Sequence, residues 1–260
     1  MINNAFSPKR FGLYLKKEFF LNLNTILVAS GTILGLLLVF FLLSIQNLQN
    51  TVAYSEFFQV MYVLGLVGGG LIYTSSIFKE LNQQGKSYFF LTLPVSTFEK
   101  FLSAFFFTAI AWSLFYTLLF FIFAAVAGEI QSTFYETPYM FIDFNSFKLF
   151  IALRGYIVAQ SLFLLGATIF RGRTFIKTGL ALFLIGIICM ILFLFMNWIV
   201  LNDFLVTYTN NTMNAISMTI HKGMTADMEW INPLSNAVAN YAVAPIAWVT
   251  AYFKLKEREI

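Results

Sequence analysis

The chain has 260 residues, of which 59% are apolar and only 11% are charged, and 33 of them are phenylalanine. This composition is too apolar and too poor in charge for a water-soluble globular protein. The net charge of +4 would suggest nucleic acid as a partner of a soluble protein. In a membrane protein, basic residues first report the orientation of the helices, so we expect no nucleic-acid partner.

Long apolar runs predict an all-α, polytopic membrane protein with six transmembrane helices in one domain, residues 1–260. Each run is close to the length of about 20 apolar residues that a bilayer-spanning helix needs. The predicted spans are Thr25–Ser44, Phe57–Phe78, Phe101–Ala127, Phe150–Phe170, Gly179–Val200 and Ala237–Phe253. The sixth span is the shortest and contains Pro245, which removes one backbone donor, so we expect a kinked helix there.

The basic residues divide unevenly between the two sides of the membrane. Short loops retained in the cytoplasm carry an excess of Lys and Arg. One side collects Lys9, Arg10, Lys16, Lys17, Lys79, Lys86, Lys100, Arg171, Arg173, Lys177, Lys254, Lys256 and Arg258. The opposite side holds only Lys148 and Lys222. This bias predicts an even number of spans with both termini in the cytoplasm.

Motifs that would carry catalysis are missing from the sequence. Gly85-Lys86-Ser87 matches the end of a phosphate-binding loop, but Glu80 occupies the position of its first Gly and the preceding segment is a predicted membrane helix. One Cys and one His, Cys189 and His221, are too few to form a metal cluster. We therefore predict no catalytic residue, no metal and no cofactor in this chain.

Two features inside the predicted spans admit alternative interpretations. Arg154 is the one ionisable residue within a span, near its outer boundary, where it would either anchor the helix by reaching the interface or contact a substrate or another helix. Gly31 and Gly35 in the first span, and Gly65 and Gly69 in the second, form G-x-x-x-G pairs that let helices approach closely. Such pairs serve either packing within one chain or dimerisation.

The segment between the second and third spans predicts a structured corner. Pro94 disfavours a helix at the residue before it, while Ser96 and Glu99 have the spacing of a capping box. The third helix should therefore begin directly after Ser96. The apolar run from Tyr88 to Leu93 is unusual for a solvated loop, which indicates packing on the membrane surface, on the domain itself or on a partner.

The same segment carries a family resemblance. Leu91-Thr92-Leu93-Pro94-Val95-Ser96, followed by Glu99-Lys100 just before the third span, resembles the L-x-L-P-V-S…E-K signature of type 2 ATP-binding cassette (ABC) exporter permeases. The resemblance implies an N-terminal interfacial helix at residues 1–24, ahead of the first span. Phe11, Leu15 and Phe19 would form its apolar stripe, although Leu13 and Phe20 fall among Lys16 and Lys17.

The resemblance also implies partners and a mechanism. The chain would be the membrane-spanning subunit, a homodimer or a pair with a similar permease, surrounded by membrane lipid in a bacterial inner membrane. Two separate ATPase subunits would hold ATP and Mg²⁺ and dock on the loop between spans two and three. The implied docking residues are Lys79, Glu80, Gln83, Gln84 and Lys86, with Pro94, Ser96 and Glu99 fixing the corner.

Other classes of function stay open from the sequence. A stand-alone channel or carrier would need a polar lining, for which only Arg154 offers itself. An intramembrane enzyme lacks the residues for a nucleophile, a base or a metal site. A non-transporting assembly or sensor subunit would use the same fold. The Phe-rich spans suit an amphiphilic substrate such as a lipid, a peptide or a hydrophobic drug, although the same aromatic residues also suit lipid-facing packing.

Overall fold

The computed structural model describes residues 6–44, 51–82, 93–135, 149–208 and 241–259. Among these residues every regular element is helical, which confirms the all-α prediction. The α-helices are α1 (Pro8–Ser44), α2 (Thr51–Ser76), α3 (Thr97–Phe105), α4 (Trp112–Tyr135), α5 (Leu149–Ile169), α6 (Thr174–Tyr208) and α7 (Val243–Glu259). A 3-10 helix, Lys79–Asn82, follows α2, and a π-helical segment, Phe106–Ala111, joins α3 to α4.

Four helical stretches of the described chain are long and apolar enough to cross a membrane. They are Phe57–Leu81, Thr97–Ile130, Leu149–Ile169 and Thr174–Met196, and they coincide with the predicted second to fifth spans. The chain is therefore a multi-pass membrane protein. The predicted sixth span corresponds to α7, whose 17 residues are at the lower end of the length range for a span, and it is not one of these four stretches. Residues 237–240 of that predicted span lie outside the described residues.

The first predicted span is part of a longer, bent helix. α1 begins at Pro8, well before Thr25, and its two halves, Pro8–Leu21 and Ile26–Leu42, differ in direction by 56°. Counted together, these halves give a fifth candidate span. The half Pro8–Leu21 overlaps the predicted interfacial helix, of which residues 1–5 lie outside the described chain. Its location at the membrane surface stays a prediction.

A tight turn makes α5 and α6 direct neighbours. Gly172 has a φ of +84°, a conformation that glycine adopts without steric cost, and it lies in the short connection between the two helices. The Thr174 backbone N–H donates to the Gly172 carbonyl at 2.8 Å, which closes the turn. The start of α6 therefore packs on the end of α5.

Aromatic residues dominate the larger of two buried clusters. Phe58, Tyr62 and Leu66 of α2 pack against Tyr116 and Phe120 of α4. Their rings meet edge-to-face or tilted, with the Tyr62 and Phe120 centroids 5.2 Å apart. Such pairs contribute about 0.5–1.5 kcal/mol beyond the burial of their area. This cluster joins α2 to α4 in the middle of the bundle.

The smaller cluster lies at one end of the bundle, where several helices begin or end. Phe78, which follows α2, packs there with Phe101 of α3, Leu164 of α5 and Leu255 of α7. At the same end Arg258 Nη2 donates to the Ile169 carbonyl at 2.8 Å, and burial together with the neighbouring Arg171 lowers the pKa of Arg258. The contacts thus bring together segments that the charge bias assigns to one side. Which compartment this end faces stays a prediction.

Candidate functional site: the corner before the third helix

The corner predicted from the sequence is a complete capping box. The Ser96 Oγ accepts from the Glu99 backbone N–H at 3.3 Å, and the Glu99 Oε2 accepts from the Ser96 backbone N–H at 3.0 Å. The two side chains thus satisfy two backbone donors that the first turn of a helix otherwise leaves unpaired. As predicted, α3 begins directly after Ser96.

Glu99 also holds the N-terminal helix, which the sequence alone did not indicate. Its Oε1 accepts from the Ser7 backbone N–H and from Arg10 Nη2, each at 2.8 Å, while its Oε2 accepts from Arg10 Nε at 2.8 Å. The Glu99 side chain is 0% exposed and that of Arg10 is 25% exposed. A two-pronged guanidinium–carboxylate pair fixes both distance and orientation. We call this pair, with Ser7 and Ser96, the Glu99 junction.

Aromatic rings extend the Glu99 junction to the last helix. Phe98 meets Phe6 edge-on at 6.0 Å, and it meets Tyr252 of α7 at the same centroid distance. The ring of Phe101 also meets Tyr252, with the centroids 5.8 Å apart. The start of α3 is therefore in contact with the N-terminal segment through Phe98 and with α7 through both rings.

The predicted docking residues separate into two groups. Lys79 and Glu80 are exposed on the 3-10 helix, and Pro94 is exposed at the corner. Ser96 and Glu99 are buried and structural. Gln83, Gln84 and Lys86 lie outside the described residues, as does most of the apolar run that begins at Tyr88. Among the described residues of this set, a partner would reach the exposed group.

The two G-x-x-x-G pairs have different surroundings. A Cβ at Gly65 would overlap the Tyr116 ring, and a Cβ at Gly69 would overlap the indole of Trp112. A Cβ at Gly31 or Gly35 would meet no atom within 4 Å. Aromatic side chains of the same chain thus pack against the glycine pair in α2, whereas no atom of the described residues packs against the pair in α1.

A buried polar cluster, which the sequence analysis missed, joins three helices. The Tyr156 hydroxyl donates to the Thr108 carbonyl at 2.5 Å, and Gln160 Nε2 donates to Thr108 Oγ1 at 2.7 Å. Trp248 Nε1 in turn donates to Gln160 Oε1 at 3.2 Å. Thr108 lies in the π-helical segment, and such segments frequently mark functional positions. An amide inside an apolar span is the feature that could have revealed this cluster.

The structure assigns no role to Arg154. Arg154 is exposed on α5, and its role as an anchor or a contact stays a prediction. Within the described ranges, no group of three or more His, Cys, Asp and Glu side chains could hold a metal ion. Cys189 is exposed on α6.

Comparison with known proteins adds no relative. No protein family, curated protein or solved structure matches the chain.

Proposed function

We propose that the chain is the membrane-spanning subunit of an ABC exporter, which moves an amphiphile out of the cytoplasm or the inner leaflet. Separate ATPase subunits would bind ATP and Mg²⁺ and supply the energy. The Glu99 junction is the observation that carries this proposal. It lies in the segment that resembles the permease signature, and it ties the corner after Pro94 to α1 as well as α3.

The junction suits a corner that receives force from a partner. The capping box prevents the first turn of α3 from unwinding, so a push on the corner would move the helix as a unit. The Arg10 pair would carry the same displacement to α1, and the ring contacts of Phe98 with Tyr252 would carry it to α7. ATPase subunits docked on exposed Lys79, Glu80 and Pro94 would thereby act on three helices together.

Affinity purification from the native host in mild detergent tests the proposal. We expect a stoichiometric partner with a complete phosphate-binding loop, identified by mass spectrometry, and ATPase activity in the complex. A chain that repeatedly purifies alone, in several detergents, would contradict the proposal and favour a channel, a carrier or an assembly subunit.

A charge exchange in the docking segment sharpens this test. The double variant Glu80→Lys with Lys86→Glu should release the ATPase while the yield of the permease is unchanged, because Glu80 is exposed and exposed charges tune docking more than folding. Lys254→Glu with Glu257→Lys is the matched control, since these side chains form an exposed pair at 2.6 Å on α7. An undiminished ATPase in the first variant would exclude this docking surface.

We place the second permease on the exposed stretch of α6. Every residue from Phe183 to Met196 is exposed, so this chain alone covers no face of that stretch. Cys189 is the single cysteine and lies within it, so a spin label there needs no substitution. A homodimer should give an inter-spin dipolar signal that disappears when labelled chains are diluted with Cys189→Ser. If the purified complex gives no such signal, the chain does not form a homodimer through α6, and the partner would be a different permease.

A further inference from the structure

A small side cavity lies beneath the bend of α1. Its volume is about 140 Å³, and it is partly open toward the outside of the bundle. Its lining includes Phe19, Ile26 and Ala29 of α1, Tyr73 of α2, and Ala111 and Trp112 from the π-helical segment and the start of α4. We call it the α1 cavity.

The bend explains why the cavity exists. α1 is held near its start by the Arg10–Glu99 pair and, farther along, by Leu37 and Phe41, which pack in the larger buried cluster. Between these two attachments its direction changes by 56°. The helix therefore stands away from α4 at the level of Phe19 and Ile26.

The lining selects an apolar ligand. Almost all of the surface that lines the cavity is apolar, although Tyr73 and Trp112 carry polar atoms. Trp112 Nε1 donates to the Leu66 carbonyl at 3.0 Å, so the indole offers carbon atoms to the cavity. An engineered apolar cavity of about 150 Å³ stays dry and binds benzene. The α1 cavity is of that size, and its open side lies on a protein surrounded by lipid. Part of an acyl chain is the occupant that this chemistry fits.

Basic residues next to the cavity indicate which lipid. Lys16 precedes Phe19 by three residues, so the two are neighbours on the helix surface. Lys9 lies two turns earlier on the same side of α1. Arg10 is paired with Glu99, and Lys17 lies 3.7 Å from Glu18. The Lys16 ammonium lies 6.0 Å from the centroid of the exposed Phe20 ring, a contact that leaves its donors open to a phosphate. We therefore assign Lys9 and Lys16 to a ligand. Both are exposed and suit a phosphate.

We propose that the α1 cavity holds one acyl chain of an anionic phospholipid, whose phosphate lies against Lys16 and Lys9. This site requires only that the chain resides in a membrane, so it does not depend on the proposed transport function. The bound lipid would fill the gap under the bend and connect α1 to α4 between its two attachments.

Photolabelling in lipid nanodiscs tests the proposal. The protein is placed in discs containing phosphatidylglycerol with a diazirine in its acyl chain, or phosphatidylcholine with the same chain, and the labelled peptides are mapped by mass spectrometry. We expect labels from the anionic lipid at Phe19–Ala29 and at 107–115. Because one lysine favours anionic lipid by about fivefold, this labelling should exceed that from phosphatidylcholine by at least about that factor.

Matched variants separate cavity and headgroup. Ala111→Phe fills the cavity and should abolish the label there, whereas Leu114→Phe, at an exposed position of α4, should leave it unchanged. Lys16→Gln should reduce phosphatidylglycerol labelling toward the phosphatidylcholine level, whereas Lys256→Gln on α7 should not. If Ala111→Phe fails gel filtration, Ala29→Phe fills the same cavity from α1.

Three results would each overturn the proposal. One is equal labelling by the two lipids, which removes the headgroup contact. Another is labelling at the cavity no stronger than along exposed α6, which indicates ordinary lipid contact only. The third is unchanged labelling in a folded cavity-filling variant.

Discussion

α5 and α6 are consecutive apolar helices joined by one tight turn, yet α5 is largely buried or half-buried and most of α6 is exposed. α5 is packed by its neighbours, and its buried residues are Tyr156, Gln160, Ser161, Phe163, Leu164, Gly166, Ala167 and Thr168. α6 contacts α5 near its start, but from Phe183 to Met196 it is exposed on all sides. The more uniformly apolar of the two helices is thus the less buried one.

This difference follows from the solvent. Lipid tails are as apolar as leucine, so large aliphatic side chains gain little from contact with another helix. Helices associate in a membrane through small residues that allow close approach and through polar groups that need partners. α5 contains both kinds among its buried residues, whereas the exposed stretch of α6 is almost entirely large and apolar. Polar and small residues therefore indicate the interior of this protein better than hydropathy does.

The largest expected effect is at the contact between the two helices. A Cβ at Gly166 would overlap Thr178 of α6, whereas a Cβ at Gly186 would meet no atom within 4 Å. Gly166→Leu should lower the free energy of unfolding by about 3 kcal/mol or prevent folding, as overpacking does. Gly186→Leu should fold normally. Thermal unfolding in detergent, followed by gel filtration, compares the two variants. Equal stability would show that Gly166 is no more tightly packed than Gly186.

Phenylalanine truncations give the next largest effect. Phe163 is buried on α5 and stacks obliquely on Phe175 at 5.5 Å, while Phe183 is exposed on α6. Phe163→Ala should cost about 3 kcal/mol, because the cavity that it leaves loses packing contacts. Phe183→Ala should cost less than about 0.5 kcal/mol in the isolated subunit. Reversible unfolding in bicelles measures both. A larger loss at Phe183 would show that α6 is packed within one subunit.

Removal of the buried amide should have a moderate effect. Gln160→Leu deletes the hydrogen bonds to Thr108 and Trp248 and leaves the indole N–H without its acceptor. We expect a loss of about 1 kcal/mol, since hydrogen bonds between membrane helices contribute about 0.6 kcal/mol on average. The same unfolding assay, together with the shift of the Trp248 emission spectrum, reports the change. Wild-type stability with an unshifted spectrum would mean that the amide plays no part in packing α7.

The smallest effect is expected at Arg154, which is on α5 but exposed. Arg154→Gln should change the free energy of unfolding by less than about 0.5 kcal/mol, as exposed substitutions usually do. If Arg154 instead contacts another helix of a complex, the variant should lose that complex while the isolated subunit stays equally stable. Native mass spectrometry of wild type and variant distinguishes the two outcomes.

Local patterns were predictable from the sequence. The spacing of Ser96 and Glu99 gave the start of α3, because a capping box involves residues only three apart. Apolar runs located the second to fifth spans within a few residues. The predicted first span, from Thr25, matches the second half of α1, Ile26–Leu42. The sequence did not show that the helix is continuous from Pro8, because Lys16 and Lys17 interrupt the apolar pattern.

Contacts between distant segments were not predictable in the same way. Arg10 carries no feature that distinguishes it from the other basic residues near the N-terminus, and its pairing with Glu99 depends on how α1 lies against α3. The two glycine pairs have identical spacing, and only the facing rings of Tyr116 and Trp112 determine which pair is occupied. The spacing of the glycines shows that another group can approach the helix closely. Which group does so depends on how the helices pack together.

The Glu99 junction also sets an order of events during synthesis. Ser7 and Glu99 are 92 residues apart, so at about 5–20 residues per second the ribosome delivers the carboxylate about 5 to 20 seconds after its partners. During that interval, the first two helices enter the membrane without the contact that fixes the beginning of α1. A nascent chain arrested before Thr97 should therefore contain α1 and α2 with the Pro8–Leu21 segment not yet in its final position.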